Sequence, residues 1–330
     1  MGFWITAPFL LAAATAAATA TRLSSLAAID LSDDTPLPLV IWNGLDDTFD
    51  SEGIQALDEI VNVIHPGTFV YSISVTGTGR SPALFGNVSS QLAAVCDTLA
   101  SHPVLSAAPA IDAVGFSQGG QFLRGYVERC NNPPIRSLVT FGSHHNGISK
   151  FKECASADYR CRSEMALLRS NLWSSFTQSF FVLAQYFRDP EDYQSYLDGS
   201  NFLADINNER EHKNNNYRRN LASLRKFVMF MFEDDTMVMP RESSWFGEVT
   251  AEAKIPLRER KMYLEDWLGL RELDENGGIV FRSINADHMQ IPRRVFNDTI
   301  REFFGPYWRK FRSHRYQDPV MYGDFTSEEL

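Results

Sequence analysis

The sequence predicts an α/β fold, a mostly parallel sheet covered by helices. Short apolar runs alternate with turn residues and helical patterns, which is the order expected of repeated β-α units. The runs are almost continuously apolar, as strands covered on both faces require. With 330 residues, 44% of them hydrophobic, the chain is long enough to bury such a core.

Six apolar runs are predicted as strands, in chain order. They are residues 37–42, 68–75, 111–115, 137–142, 227–232 and 279–284. Between these runs, residues 91–100 and 120–130 have helical patterns. Residues 149–225 break the alternation because they are helix-like, with an aromatic-rich part followed by a polar part. We therefore predict one domain at 21–305 with a helical insertion at about 149–225, and a polar surface tail at 306–330.

Charge and the N-terminal segment limit the function classes. The formal net charge is −10, which argues against a nucleic-acid partner because such a partner requires a clustered basic face. Residues 1–20 carry no charged side chain and end in the small-x-small pattern Ala18-Thr19-Ala20. This predicts a signal peptide, with a buried N-terminal helix as the alternative. The apolar run is too short to span a membrane, and no other segment is predicted to do so.

The cysteines and two glycosylation sequons agree with a secreted chain. Its four cysteines are Cys96, Cys130, Cys154 and Cys161. In an oxidising compartment an even count permits two disulfides, in any of three connectivities. Cys154 and Cys161 are close enough in sequence to close a small loop. Asn87 and Asn297 each begin an Asn-x-Ser/Thr sequon, which predicts two glycosylation sites.

The strongest chemical signal is Gly115-Phe116-Ser117-Gln118-Gly119. A nucleophile elbow needs a strand before it, a serine in a strained turn, a helix after it and small flanking residues. All of these conditions are met here, so we predict that Ser117 is a nucleophile. The helix would begin at Gln118, whose amide would face a developing oxyanion. The alternative is a turn with a purely structural role.

A nucleophilic serine needs a histidine base and an orienting acid, which α/β-hydrolases place in the order serine, acid, histidine. His288 follows the sixth predicted strand, and Asp235 follows the fifth among several carboxylates. Both positions lie at the carboxyl ends of strands, where ligands of such sheets bind. We therefore predict His288 as the base and Asp235 as the acid.

His144 and His145, after the fourth strand, are the rival base. They precede the acid in sequence and so break the expected order, which favours a loop role. A metal site at this pair would need further ligands at a recognisable spacing, and none is present in the sequence. We predict no metal and no cofactor.

Several longer stretches carry a resemblance to a known family. These are residues 115–124, 202–207 and 244–247, together with Asp287-His288. From about Pro36 to Gly305 the chain resembles the lysosomal palmitoyl-protein thioesterases, in a fungal-type version. The resemblance implies an α/β-hydrolase that hydrolyses long-chain fatty acyl thioesters on S-acylated cysteines. The implied partners are S-acylated proteins or peptides and fatty acyl thioesters, and the implied location is the secretory pathway, in a lysosome or vacuole, or outside the cell.

The same resemblance implies roles for individual residues. It assigns Ser117, Asp235 and His288 to a catalytic triad, and the amides of Leu45 and Gln118 to an oxyanion hole. It also implies two disulfides, Cys96 with Cys130 and Cys154 with Cys161.

A long acyl chain needs an apolar surface, and the insertion offers one at helical spacing. Its candidates for an acyl groove are Trp173, Phe176, Phe180, Phe181, Leu183 and Phe187. The alternative is an ordinary helix face packed on the sheet. Two other functions remain open: a secreted lipase or carboxylesterase acting on oxygen esters, and an inactive hydrolase fold that binds lipid.

Overall fold

The predicted α/β fold is confirmed in a computed structural model, which describes residues 34–44, 51–74, 83–315 and 319–323. Its centre is a seven-stranded sheet in the order β2-β1-β3-β4-β5-β8-β9, and every neighbouring pair is parallel. These strands are β1 (Leu39–Trp42), β2 (Val70–Ser72), β3 (Ile111–Phe116), β4 (Ile135–Phe141), β5 (Lys226–Phe232), β8 (Ile279–Ile284) and β9 (Val320–Tyr322). A separate antiparallel pair consists of β6 (Glu248–Val249) and β7 (Lys254–Ile255).

Helices and short 3-10 turns connect the strands. The helices are α1 (Ser51–Ile64), α2 (Val88–Ser101), α3 (Pro103–Ala107), α4 (Gln118–Arg129), α5 (Tyr159–Ser170), α6 (Ser175–Phe180), α7 (Val182–Gln185), α8 (Tyr193–Gly199), α9 (Leu203–Ile206), α10 (Asn215–Ala222), α11 (Lys261–Leu264), α12 (Leu270–Glu275) and α13 (Arg293–Phe303). The 3-10 turns are Arg241–Trp245 and Leu257–Glu259. Helices α5 to α10 all lie between β4 and β5, in the segment predicted as an insertion.

The sheet separates two apolar cores. Val40 and Trp42 of β1 pack into one core, whereas Leu39 and Ile41 pack into the other, as the alternation of side chains along a strand requires. The first core contains α2, α4 and apolar side chains of the insertion. The second contains α13 and the inner residues of α1. The continuous apolar strands therefore bury both faces, as their composition predicted.

The segment predicted as a polar tail is in part built into the sheet. Residues 320–322 form β9, which pairs with residues 282–284 of β8, and His314 is buried against Lys226, whose Nζ lies 3.0 Å from its Nδ1. The sequence did not predict this strand pairing or the burial of His314, whereas Val320 and Met321 of β9 are exposed, as expected of a surface segment. A three-residue edge strand has too few side chains to show a period, and it is held by backbone hydrogen bonds that composition does not reveal.

Two disulfides are present, in the pairing that the resemblance implied. Cys96 of α2 is joined to Cys130 at the end of α4, and Cys154 is joined to Cys161 of α5. The bond between Cys96 and Cys130 joins α4, the helix that follows Ser117, to α2. In the described part of the chain, no helix combines the length and the hydropathy that crossing a bilayer requires. The predicted signal peptide, residues 1–20, lies outside the described residues.

Candidate active site

The turn from β3 into α4 has the geometry of a nucleophile elbow. Ser117 adopts φ 51° and ψ −125°, a combination that an L-residue adopts only under constraint. A Cβ on Gly115 would lie 2.3 Å from the Cα of Gly120, and a Cβ on Gly119 would lie 2.2 Å from the carbonyl oxygen of Trp42. Side chains at these positions would force the backbone apart, so the small residues make the strained serine turn possible.

Ser117, His288 and Asp235 form one hydrogen-bonded chain. The Nε2 atom of His288 lies 3.0 Å from the Oγ atom of Ser117, and its Nδ1 atom lies 2.8 Å from Oδ2 of Asp235. The three residues follow β3, β8 and β5, whose carboxyl ends lie on the same edge of the sheet. The structure therefore brings together the three residues that the sequence selected.

The carboxylate of Asp235 is fixed on both of its oxygens. Oδ1 accepts hydrogen bonds from the backbone amides of Met237 at 2.8 Å and Val238 at 2.7 Å, and Oδ2 faces His288. Its side chain is fully buried. A carboxylate held in this way can orient the imidazole and stabilise its protonated form.

A donor for an oxyanion lies beside the serine. Gln118 is the first residue of α4, so its backbone N–H has no acceptor within the helix and lies at the positive end of the helix dipole. The side chain of Gln118 is anchored, since its Nε2 donates to the carbonyl oxygen of Ala83 at 3.2 Å and its Oε1 accepts from the hydroxyl of Tyr186 at 3.3 Å. Leu45, the second predicted donor, lies outside the described residues.

His144 and His145 are packed in the interior. Their exposed fractions are 3% and 0%, and the ring of His144 lies 4.1 Å from that of Tyr186. Burial, together with the nearby His288 and Arg124, lowers the pKa of His144 to about 3. Burial also lowers the pKa of His145 well below its usual range. Both rings are therefore neutral, and the hydrogen bond to Ser117 comes from His288. Within the described residues, no group of three or more His, Cys, Asp or Glu side chains forms a metal cluster.

A cavity of about 560 Å³ opens at Ser117. Its described lining is mostly apolar toward α1 and α13 and polar at the loops that carry the triad. The lining residues are Gly44, Leu57, Ile60, Phe116, Ser117, Lys152, Thr236, Met237, Asp287, His288, Met289, Ile291, Arg293 and Phe296. Leu57, Phe116 and Phe296 belong to the core of α1 and α13, on the opposite face of the sheet from the insertion.

The side chains predicted for an acyl groove lie elsewhere. None of the six, Trp173, Phe176, Phe180, Phe181, Leu183 and Phe187, is among the described residues that line the cavity at Ser117. Trp173 and Phe187 line a separate cleft, and the other four belong to α6 and the residues that follow it. The prediction therefore does not describe this cavity. Helical spacing identified a face that is largely packed on the first core, and it could not identify which face of the sheet the serine cavity enters.

The two sequon asparagines lie at the start of one helix and within another. Asn87 precedes α2, and its side chain accepts a hydrogen bond from the backbone N–H of Ser90 at 3.0 Å. Asn297 is within α13, and the hydroxyl of Thr299 in the same sequon is buried and donates to the carbonyl of Val295 at 2.7 Å. Glycosylation at these positions stays a prediction.

Sequence reasoning missed several residues of the site. A Cβ on Gly44 would lie 2.9 Å from the Cβ of Ser117, so only glycine lets the end of β1 approach the nucleophile. A Cβ on Gly142 would lie 3.0 Å from Cε1 of His288. The carboxylate of Asp287 contacts Thr236 in the loop of Asp235. These roles depend on contacts between distant strands. The one local signal in the sequence is the turn pair Asn43-Gly44, directly after the first predicted strand.

A parallel sheet whose carboxyl edge carries a strained serine joined to a histidine and an aspartate defines the α/β-hydrolase class. A family model described as palmitoyl protein thioesterase matches residues 38–288. The chain therefore belongs to the palmitoyl protein thioesterase family.

Three curated relatives show the extent of the similarity. Palmitoyl-protein thioesterase 1 of Caenorhabditis elegans is 34% identical over 276 residues, which cover 81% of this chain and 92% of that protein. Palmitoyl-protein thioesterase 3 of Dictyostelium discoideum is 29% identical over 279 residues, 83% of this chain and 90% of that protein. Lysosomal thioesterase PPT2 of Homo sapiens is 30% identical over 251 residues, 74% and 78% respectively.

Proposed function

We propose that this protein is a palmitoyl-protein thioesterase, which removes long-chain fatty acyl groups from S-acylated cysteines. The observation that carries the proposal is the chain of hydrogen bonds from Ser117 through His288 to Asp235, at 3.0 and 2.8 Å, in a member of the palmitoyl protein thioesterase family. The names of the relatives supply the substrate class, and the site supplies the chemistry.

The reaction is acyl transfer through an acyl-serine. His288 takes the proton of Ser117 as its Oγ attacks the thioester carbonyl, and the oxyanion is held by the amide of Gln118 with Leu45 as the second donor. The tetrahedral intermediate then expels the cysteine sulfur, which receives the proton from His288. Water attacks the acyl-serine in the same way and releases the fatty acid. Asp235 orients the imidazole in both halves.

The acyl chain is proposed to occupy the cavity beside Ser117. Its volume of about 560 Å³ lies in the range of small-molecule sites. Apolar residues of α1, of α13 and of the loop before α13 line the same cavity as Ser117, among them Ile60, Phe296 and Ile291. Each methylene removed from water there contributes up to about 0.8 kcal/mol.

We infer residence in the secretory pathway. Two disulfides are typical of oxidising compartments, and one relative is named as a lysosomal enzyme. A lysosome or vacuole, or release from the cell, is proposed within that pathway.

The function is tested by parallel rate measurements on three substrates. The wild type is expected to hydrolyse a palmitoyl-cysteine peptide with a higher kcat/KM than a triglyceride or a short oxygen ester. Ser117→Ala should lose roughly 10⁴-fold or more in kcat while it remains folded, since only the nucleophile is removed. His288→Ala should be similarly damaging, and mass spectrometry of a quenched reaction should find the acyl group on Ser117.

The outcomes are distinct. Faster turnover of the oxygen esters would make the protein a lipase or carboxylesterase. Undiminished thioester hydrolysis by a folded Ser117→Ala protein would remove Ser117 from the mechanism altogether. The absence of turnover on all three substrates, with intact palmitate binding, would identify a lipid-binding protein.

A further inference from the structure

The carboxylate of Asp287 joins the two loops that carry the acid and the base. Its Oδ1 accepts hydrogen bonds from the backbone N–H of Thr236 at 3.0 Å and from the Thr236 hydroxyl at 3.0 Å. The same oxygen accepts from the backbone N–H of His288 at 2.7 Å. Thr236 follows Asp235 directly, so one carboxylate oxygen contacts the neighbour of the acid and the backbone of the base.

This arrangement matters because Asp235 and His288 follow different strands. The end of β5 and the end of β8 are already joined by backbone hydrogen bonds, such as Asp234 N–H to Ala286 C=O at 3.2 Å. Beyond that point, the described hydrogen bonds between the two loops are the triad bond itself and the contacts of Asp287 with Thr236. The triad bond of 2.8 Å thus depends on loops that Asp287 holds in register.

Asp287 is itself fixed and ionised. Its backbone N–H donates to the side chain of Gln290 at 3.2 Å, and the N–H of Gln290 donates back to its carbonyl at 3.1 Å. Burial acts to raise the pKa of Asp287, but hydrogen bonds from the amides of His288 and Thr236 outweigh it and lower the pKa below the usual value. The side chain of Asp287 is therefore an ionised carboxylate, which can only accept hydrogen bonds, at any pH at which the base is active.

We propose that Asp287 is a positioning residue of the hydrolase site, which sets the distance between Asp235 and His288 by tying Thr236 to the backbone of His288. The proposal rests on the triad assigned under the proposed function. The described hydrogen bonds of the Asp287 carboxylate go to Thr236 and to the backbone of His288, so it acts through the placement of Asp235 and His288.

Two variants separate position from charge. Asp287→Ala removes every acceptor, whereas Asp287→Asn keeps an amide oxygen for the two N–H groups and loses the charge. We expect Asp287→Ala to lower kcat by roughly 10- to 100-fold, since small misplacements of catalytic groups have costs of this size. KM should change less than twofold, and Asp287→Asn should recover most of kcat. Asp234→Asn is the matched control because it removes an exposed carboxylate next to the acid, outside this contact.

The pH profile gives a second readout, which a purely structural role would not move. In the part of the chain that the structure describes, the charged and titratable groups around His288 are Asp235 after β5, Asp287 beside it and the neutral ring of His144 after β4, with Lys152 and Arg293 on the cavity wall. Loss of the Asp287 charge disfavours the imidazolium, so the acidic limb of kcat/KM should move to lower pH in Asp287→Asn. The control Asp234→Asn should leave that limb closer to its position in the wild type.

The rate at which a fluorophosphonate labels Ser117 is measured alongside, because it reports the activated serine whatever the natural substrate is. A wild type that reacts with the probe but hydrolyses no palmitoyl thioester contradicts the proposed function and leaves the role of Asp287 testable. A folded Asp287→Ala protein with kcat and labelling rate within threefold of the wild type overturns the proposal. A folded Asp287→Ala protein with a raised KM and an unchanged kcat also overturns the proposal.

Should Asp287→Ala fail to fold, Thr236→Val replaces it, because this variant deletes only the hydroxyl donor. It is expected to lower kcat by roughly two- to fivefold. An unchanged kcat in folded Thr236→Val, together with an unshifted acidic limb in Asp287→Asn, overturns the proposal equally.

Discussion

At the scale of single residues, burial decides which histidine is available as a base. His144 lies close enough to His288 for their charges to interact, but the His144 ring is buried and tilted against the ring of Tyr186. Its Nε2 atom is buried with no hydrogen-bond partner among the described residues. Protonation there would place an unpaired charge in the interior, so the ring stays neutral and is not available as the base.

This burial predicts a specific effect of acid on stability. The pKa of His144 is about 3 in the folded chain and about 6.5 when it is unfolded. The unfolded state therefore binds the extra proton first, so the stability associated with neutral His144 is complete above pH 6.5 and is lost as the pH falls. Between pH 7 and pH 5 the loss from this residue is about 2 kcal/mol.

The substitution His144→Phe keeps a ring beside Tyr186 and removes the titration. Urea unfolding at pH 7 and at pH 5 should show a loss of stability in acid that is about 2 kcal/mol smaller in the variant than in the wild type. The thioesterase kcat should stay within a few fold. An equal loss of stability in both proteins would show that His144 does not titrate in this range.

At the scale of elements, the sequence was most informative where a function is encoded locally. The elbow could be predicted because strand, serine, glycines and helix are consecutive in the chain, and Gly115 must be small because a Cβ there would lie 2.3 Å from the Cα of Gly120 within the same turn. The acid and base could be predicted from the order of residues at strand ends. Contacts between distant elements could not, which is why Gly44, the Asp287 contact and the edge strand β9 were missed.

The sequence and the structure favour different elements for the acyl site. The insertion has an apolar face at helical spacing, whereas the cavity at Ser117 is lined by α1, α13 and the loops at the sheet edge. Both surfaces are apolar, and periodicity alone does not say which of them adjoins the nucleophile. Rates over a series of acyl chain lengths distinguish the two surfaces.

We expect Ile60→Asn and Ile291→Asn to lower kcat/KM for palmitoyl thioesters by roughly fivefold or more, because each places a polar group where methylenes would be buried. Eight-carbon substrates should be affected less. Phe176→Ser is the control, because Phe176 is 62% exposed on α6 and does not line the cavity. The opposite pattern, with chain-length preference lost only in Phe176→Ser or Phe180→Asn, would return the acyl site to the insertion.

At the scale of the whole molecule, the two disulfides differ in what they constrain. Cys96 and Cys130 are 34 residues apart, and their bond fixes the end of α4, the helix that begins at the nucleophile. Cys154 and Cys161 are 7 residues apart and constrain only the entry to α5. In the chain-entropy account, a longer loop loses more freedom in the unfolded state when it is closed.

Removal of each bond should therefore have a different cost. For loops of these lengths the entropic account gives about 4 kcal/mol for Cys96→Ala with Cys130→Ala, and about 2 kcal/mol for Cys154→Ala with Cys161→Ala. Urea unfolding of the two double variants and the wild type, without reductant, measures both free energies. The first variant should also lose activity at a lower temperature than the second, since α4 positions Ser117 and the amide of Gln118. Equal costs, or a larger cost for the short loop, would show that native-state contacts rather than unfolded-state entropy decide the contribution of each bond.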